Sequence, residues 1–124
     1  MYPKQVVFVY GTLKRGFSNH FFLKDAKFLG RGRTLEPYAL SDGEYPFVYR
    51  KEKVSPVCGE IYEMDGETLL QLDHLEQDPE YYCRDQLDVV LEDGDKLRAW
   101  LYFFPVPQGR LIESGEWGVY NLES

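Results

Sequence analysis

The sequence predicts an α+β fold dominated by strands that close or half-close into a small barrel, and three observations carry that reading. Val6-Val7-Phe8-Val9 is a run of β-branched and aromatic residues that stops at Tyr10-Gly11, as a central strand buried on both faces would. Many further short apolar runs are separated by tight-turn residues, including Glu92-Asp93-Gly94-Asp95 between two long strand-like segments. Only two short stretches read as helix, which places helices between strands rather than in regular alternation with them.

A chain of 124 residues is the size of one domain and can bury a core without metal or disulfide help, so 1–124 is read as a single domain. With 44% hydrophobic and 16% aromatic residues it is too apolar for disorder, and it has no apolar run of membrane-spanning length. The formal charge of −7 disfavours nonspecific binding to nucleic acid or to an anionic membrane. The start, Met1-Tyr2-Pro3-Lys4-Gln5, lacks the tripartite pattern of a secretory signal, and a cytoplasmic location is expected. Cys58 and Cys83 stand far apart, and His20 and His74 are the only imidazoles, so a metal site is not expected and both cysteines are read as small packing residues.

After the opening strand, Ser18 or Asn19 can cap a helix reaching about Phe28, ended by Gly30 and Gly32. Residues 29–35 read as an exposed strand ended by Glu36-Pro37. Tyr38-Ala39-Leu40 read as another short strand before a turn at Ser41-Asp42-Gly43. Residues 46–49 and 57–64 follow as strands; in the second, Cys58, Glu60, Tyr62 and Met64 share one face. Asp65 is placed to cap a helix running to about Glu76, with Glu67 in the first turn and Asp78-Pro79 beyond its end. Residues 81–91 and 96–104 form the hairpin, and Leu111-Ile112 and Trp117-Gly118-Val119-Tyr120 are expected to tie the tail to the body.

The turn after Val9 is read two ways, as an ordinary strand exit or as a nest of N–H groups able to hold an anion; its spacing fits neither a phosphate loop nor a dinucleotide fingerprint. Lys14, Arg15, Arg31 and Arg33 are the one basic concentration, normally a solvated face. In the second helix, taking Leu69 as zero at about 100° per residue, Leu72 falls at about 300°, Leu75 at about 240° and Glu76 at about 340°. Glu76 thus lies in the apolar stripe at a helix C-terminus, where burial and the macrodipole both raise a carboxylate pKa toward general acid/base use. The alternatives are an ordinary ion pair between Glu76 and Arg84, or Asp73, at about 40°, as the inward carboxylate. His20 and His74 are read as surface or capping residues, and Tyr81, Tyr82 and Tyr102 as hairpin aromatics whose hydroxyls can orient a substrate if they line a cleft.

Val9-Tyr10-Gly11-Thr12-Leu13-Lys14-Arg15-Gly16, followed by Gly59-Glu60-Ile61-Tyr62, Leu72-Asp73-His74-Leu75-Glu76 and Tyr82-Cys83-Arg84, resembles the γ-glutamylcyclotransferase-like (AIG2-like) family, with residues 100–104 similar to that family's closing strand. Within it, Arg31-Gly32-Arg33-Thr34-Leu35-Glu36-Pro37-Tyr38 is most similar to the γ-glutamylamine cyclotransferase branch, which releases an amine such as lysine from γ-glutamyl-ε-lysine and makes 5-oxoproline. The resemblance implies a small mixed-strand β-barrel with two short flanking helices, a pocket at its mouth for a small-molecule γ-glutamyl substrate, and no metal or organic cofactor. It carries the substrate cradle onto Tyr10, Gly11, Thr12 and Leu13, the catalytic role onto Glu76, and pocket positions onto Tyr82 and Tyr102. Residues 40–56 and the tail after Pro105 depart from the family pattern, which leaves the amine released open, as is the oligomeric state. A noncatalytic module binding a carboxylate or γ-glutamyl ligand in the same pocket is the alternative function.

Overall fold

The computed structural model describes residues 4–11, 13–17, 20–42, 46–76, 83–104 and 109–117, with Glu76 described by its backbone alone. The strands are β1 (Gln5–Val9), β2 (Lys27–Asp42), β3 (Pro46–Tyr49), β4 (Ser55–Met64), β5 (Cys83–Leu91), β6 (Lys96–Phe103) and β7 (Arg110–Leu111), with one α-helix, α1 (Gly66–Glu76). They pair in the order β3-β2-β4-β1-β6-β5, and β5 returns to β2, so β2, β4, β1, β6 and β5 close a five-stranded barrel. The β1–β6 pair is parallel and the other pairs are antiparallel, which makes the barrel mixed. No helix among the described residues is long and apolar enough to cross a membrane.

The period of two along β1 builds two cores. Phe8 and Tyr10 point into the barrel with Val57, Ile61, Val89 and Leu101. Val7 and Val9 point outward, where Leu69 and Leu72 of α1 cover them together with Tyr62, Met64 and Tyr102. Burying Leu72, fully enclosed, contributes about 1.5–3 kcal/mol and fixes α1 across the barrel wall. The helix starts where the sequence places it: the Thr68 amide donates to Asp65 Oδ1 at 2.8 Å, and these bonds hold the Asp65 carboxyl below its usual pKa. The β5–β6 hairpin also falls as predicted, with Gly94 at φ 98° in its turn.

Two expectations are corrected. The first predicted helix is a 3₁₀ turn, His20–Leu23, and the strand begins by Lys27. Ser18 and Asn19, its supposed caps, lie outside the described residues. Cross-strand pairing of Lys27 with Glu63 and of Phe28 with Tyr62 claims the backbone that the helix would need, so the described residues carry one α-helix rather than two.

The second correction joins residues 29–35 and 38–40, with Ser41 and Asp42, into one 16-residue strand. Pro37 does not end it, because register shifts lie between Phe28 and Gly30 and between Arg33 and Pro37, where an absent N–H is tolerated. Thr34, fully buried, closes the gap: its hydroxyl donates to the Glu36 carbonyl at 2.7 Å and accepts from the Val57 amide at 2.9 Å.

Thr34→Val keeps the shape but strands the Val57 N–H inside the barrel. It should cost about 1–3 kcal/mol in urea denaturation, while Thr34→Ser should retain most of the stability. Equal stability of the valine variant and the native chain would contradict this role.

Candidate active site

The parallel β1–β6 pair brings the end of β1 and the end of β6 to the same mouth of the barrel, and the antiparallel β5 begins there, with Cys83 opposite Phe103. The helix α1 also runs out at that end. Tyr10, Gly11, Leu13, Tyr102 and the backbone of Glu76 therefore converge there, while Thr12 and Tyr82 lie outside the described residues.

Gly11 serves close approach rather than a positive φ. A Cβ there would sit 2.5 Å from Pro46 Cγ, below any real contact, so only glycine lets the β3 end close over the turn. From Gly11 the chain descends through successive turns: the Lys14 amide donates to the Gly11 carbonyl, Phe17 to Lys14, and His20 to Phe17, at 3.0–3.1 Å. Glu60 of β4 anchors the turn, accepting from the Arg15 amide and from the Tyr62 hydroxyl, both at 2.9 Å. Burial and the neighbouring Glu60 push the Tyr62 phenol far above its ordinary pKa, so it remains a donor. His20 Nδ1 lies 3.0 Å from the Leu13 carbonyl, which can only accept, so that nitrogen carries the proton. The Gly11 and Leu13 amides donate to no group among the described residues, and a bound anion can use them.

Lys14 overturns the reading of a solvated basic face. It is buried, its Nζ donates to the Trp117 carbonyl at 2.6 Å, and it faces the rings of Phe17 and Trp117. Desolvation lowers its pKa, opposed by Glu116 and Glu60. The tail is strapped on as expected, through Ile112 N–H to Leu40 O, Cys58 N–H to Gly115 O and Trp117 Nε1–H to Asp42; residues 118–120 lie outside the described set. Arg31 is spoken for by Glu116 at 2.6 Å.

At the other half of the mouth, Asp73 is fastened by three hydrogen bonds from two residues. Arg84 reaches it from β5 at 2.7 Å (Nε to Oδ1) and 3.1 Å (Nη2 to Oδ2), and the Tyr102 hydroxyl donates to Oδ1 at 2.6 Å. Arg84 itself lies over the Trp100 ring, 4.2 Å from its centroid. The Tyr10 hydroxyl in turn donates to the Tyr102 carbonyl at 2.8 Å. Both tyrosine hydroxyls thus join wall to wall, and Arg84 makes an ion pair with Asp73, three residues before Glu76. Periodicity alone could not choose between Glu76 and Asp73, and Glu60 carried no signal of its own, being one of two acids in β4 with Glu63.

The cysteines differ from expectation in one respect. Cys58 is half-buried, which pushes its thiol pKa up, whereas Cys83 is exposed at the start of β5. Among the described residues no cluster of His, Cys, Asp and Glu has the makings of a metal centre. A surface depression of about 280 Å³ lined by Arg31, Arg33, Cys58, Glu92 and Glu116 shares none of the mouth residues.

The mouth of this closed mixed barrel thus pairs an amide-bearing turn with an acidic helix end. The model of the family described as gamma-glutamyl cyclotransferase, AIG2-like, matches residues 7–119. A protein of Methanocaldococcus jannaschii, provisionally named a gamma-glutamylcyclotransferase, is 45% identical over 118 residues, spanning 94% of this chain and 98% of its own. The gamma-glutamylaminecyclotransferase of Mus musculus is 40% identical over 112 residues, covering 77% of this chain and 75% of that protein. A crystal structure of an AIG2-like protein from Mus musculus superposes with a TM-score of 0.79 at 34% identity, over 89% of this chain and 86% of the other. The chain belongs to the AIG2-like gamma-glutamyl cyclotransferase family and is an enzyme of that type.

The buried Lys14 predicts a pH dependence. Its folded pKa lies below the ordinary 10.5, so between the folded and unfolded values the unfolded chain binds more protons, and its stability cost fades as pH rises through that window. The native chain should gain stability relative to Lys14→Met as pH climbs from neutral toward 10.5, read by urea denaturation. A gap that narrows or stays flat would contradict the desolvated state of this lysine.

Proposed function

We propose that the chain converts a γ-glutamyl amine or γ-glutamyl peptide into 5-oxoproline and a free amine, with Glu76 as general acid/base. The observation that carries this reading is the convergence of the Gly11 turn and the end of α1 at one mouth of the barrel. The substrate's α-carboxylate takes the amides of Gly11, Thr12 and Leu13, which folds the glutamyl chain so that its α-nitrogen meets its own γ-carbonyl carbon. Tyr10 and Tyr102 wall the pocket, and the family pattern assigns Tyr82, outside the described residues, to the same role.

Glu76, as carboxylate, takes a proton from the α-ammonium group and frees the nitrogen to attack. The new C–N bond closes a five-membered ring, the bond to the leaving nitrogen breaks, and Glu76 hands its proton to that nitrogen. Of the three protons on the α-ammonium, one remains on the lactam and two end on the departing amine. Because nucleophile and electrophile belong to one molecule, the protein's task is mostly conformational, and no covalent enzyme intermediate is required.

The similarity to the mouse gamma-glutamylaminecyclotransferase favours an amine such as lysine as the leaving group. The chain acts as one domain on a small molecule, in the cytoplasm, where reducing conditions suit its two thiols.

The test is 5-oxoproline release from γ-glutamyl-ε-lysine, γ-glutamyl dipeptides and glutathione. The native chain should turn over at least one of them, and Glu76→Gln should lower kcat by about 100-fold or more while leaving 5-oxoproline binding in place. Undiminished turnover by Glu76→Gln would remove that residue from the mechanism. Saturable 5-oxoproline binding by a native chain with no turnover would replace the enzyme by a binding module.

A further inference from the structure

We infer that Asp73 is a positioning residue, whose tether to Tyr102 and Arg84 sets the last turn of α1, and with it Glu76, against the Gly11 turn. The inference rests on the proposed role of Glu76 and extends it. Asp73 and Glu76 stand three residues apart, on neighbouring positions of one helix face. An 11-residue helix ending in two carboxylates is poorly placed to hold its own last turn, because the macrodipole disfavours negative charge there and terminal carbonyls lack intrahelical partners. Arg84 supplies a fixed cation from β5, and its guanidinium is itself pinned over the Trp100 ring.

The decisive link is Tyr102, which serves both halves of the mouth. Its hydroxyl holds Asp73 at 2.6 Å, and its carbonyl accepts the Tyr10 hydroxyl at 2.8 Å, one residue before Gly11. Two hydrogen bonds joined through the covalent frame of Tyr102, Asp73 to its hydroxyl and Tyr10 to its carbonyl, therefore span from the acid-bearing turn to the cradle. Asp73 uses both carboxylate oxygens in these bonds, so it acts as a strut rather than as a proton carrier.

The experiment measures kcat and KM for 5-oxoproline release well below the unfolding temperature, in Asp73→Asn, Tyr102→Phe, their combination, and Glu76→Gln. Tyr102→Phe removes one oxygen from a buried ring and keeps the test informative if Asp73→Asn fails to fold. Asp73→Asn and Tyr102→Phe should each lose about tenfold to a hundredfold in kcat, and Asp73→Asn should keep KM and 5-oxoproline affinity within about twofold of native. The combination should lose no more than the worse single variant, since both cut one path. Native kcat in Tyr102→Phe, or a raised KM with kcat unchanged, overturns the positioning role. Full turnover by Glu76→Gln in the same series would instead overturn the underlying reading of Glu76, so the two failures are separable.

Discussion

The structure depends on one constraint: β1 is buried on both faces and has to pair on both edges. A strand with Phe8 and Tyr10 inside the barrel and Val7 and Val9 beneath α1 has no water on either side for its backbone, so β4 takes one edge and β6 the other. Pairing β1 with β6 in parallel then forces the ends of both strands to one mouth. The barrel closes between β2 and β5, at Gly32, Arg33 and Thr34. Site placement is thus a by-product of how the most apolar strand is satisfied.

What was legible in the sequence was what local physics decides. The β1 run, the Asp65 cap and the Glu92–Asp95 turn each carry their signal within a few residues, and each lies where it was read. The long β2 strand did not, because glycines and Pro37 normally punctuate strands; here bulges and the Thr34 hydroxyl absorb them, a compensation made by β4, more than twenty residues away. The short helix before it failed for the same reason, since its backbone is claimed by Glu63 and Tyr62 across the ladder. The helical wheel put Glu76 in the apolar stripe with Asp73 as the alternative, and the partners that immobilise Asp73 come from β5 and β6, beyond the reach of any periodicity. Lys14 misled most, because a basic run looks solvated until the tail folds Trp117 over it.

The electrostatics of the mouth follow from where cations are spent. The chain carries a formal charge of −7, yet Lys14, Arg31 and Arg84 near its functional end are each committed to a protein acceptor. In the proposed function, attraction for a substrate carboxylate then falls to backbone N–H groups, which are fixed by the fold and do not titrate. That suits an intramolecular reaction, where holding a bent conformation matters more than supplying a strong nucleophile. A rigid barrel wall, a glycine pressed under Pro46 and a strutted helix end are the means of holding it.

The central claim, that the Gly11 turn and the end of α1 are two halves of one site, is tested most directly by amide chemical-shift mapping of the native chain titrated with 5-oxoproline. Saturable shifts at Gly11 and Leu13 together with residues 73–76, and none at the Arg31–Arg33 depression, are the predicted result. Shifts centred on Arg31, Arg33 and Glu116, or on only one half of the mouth, would contradict it.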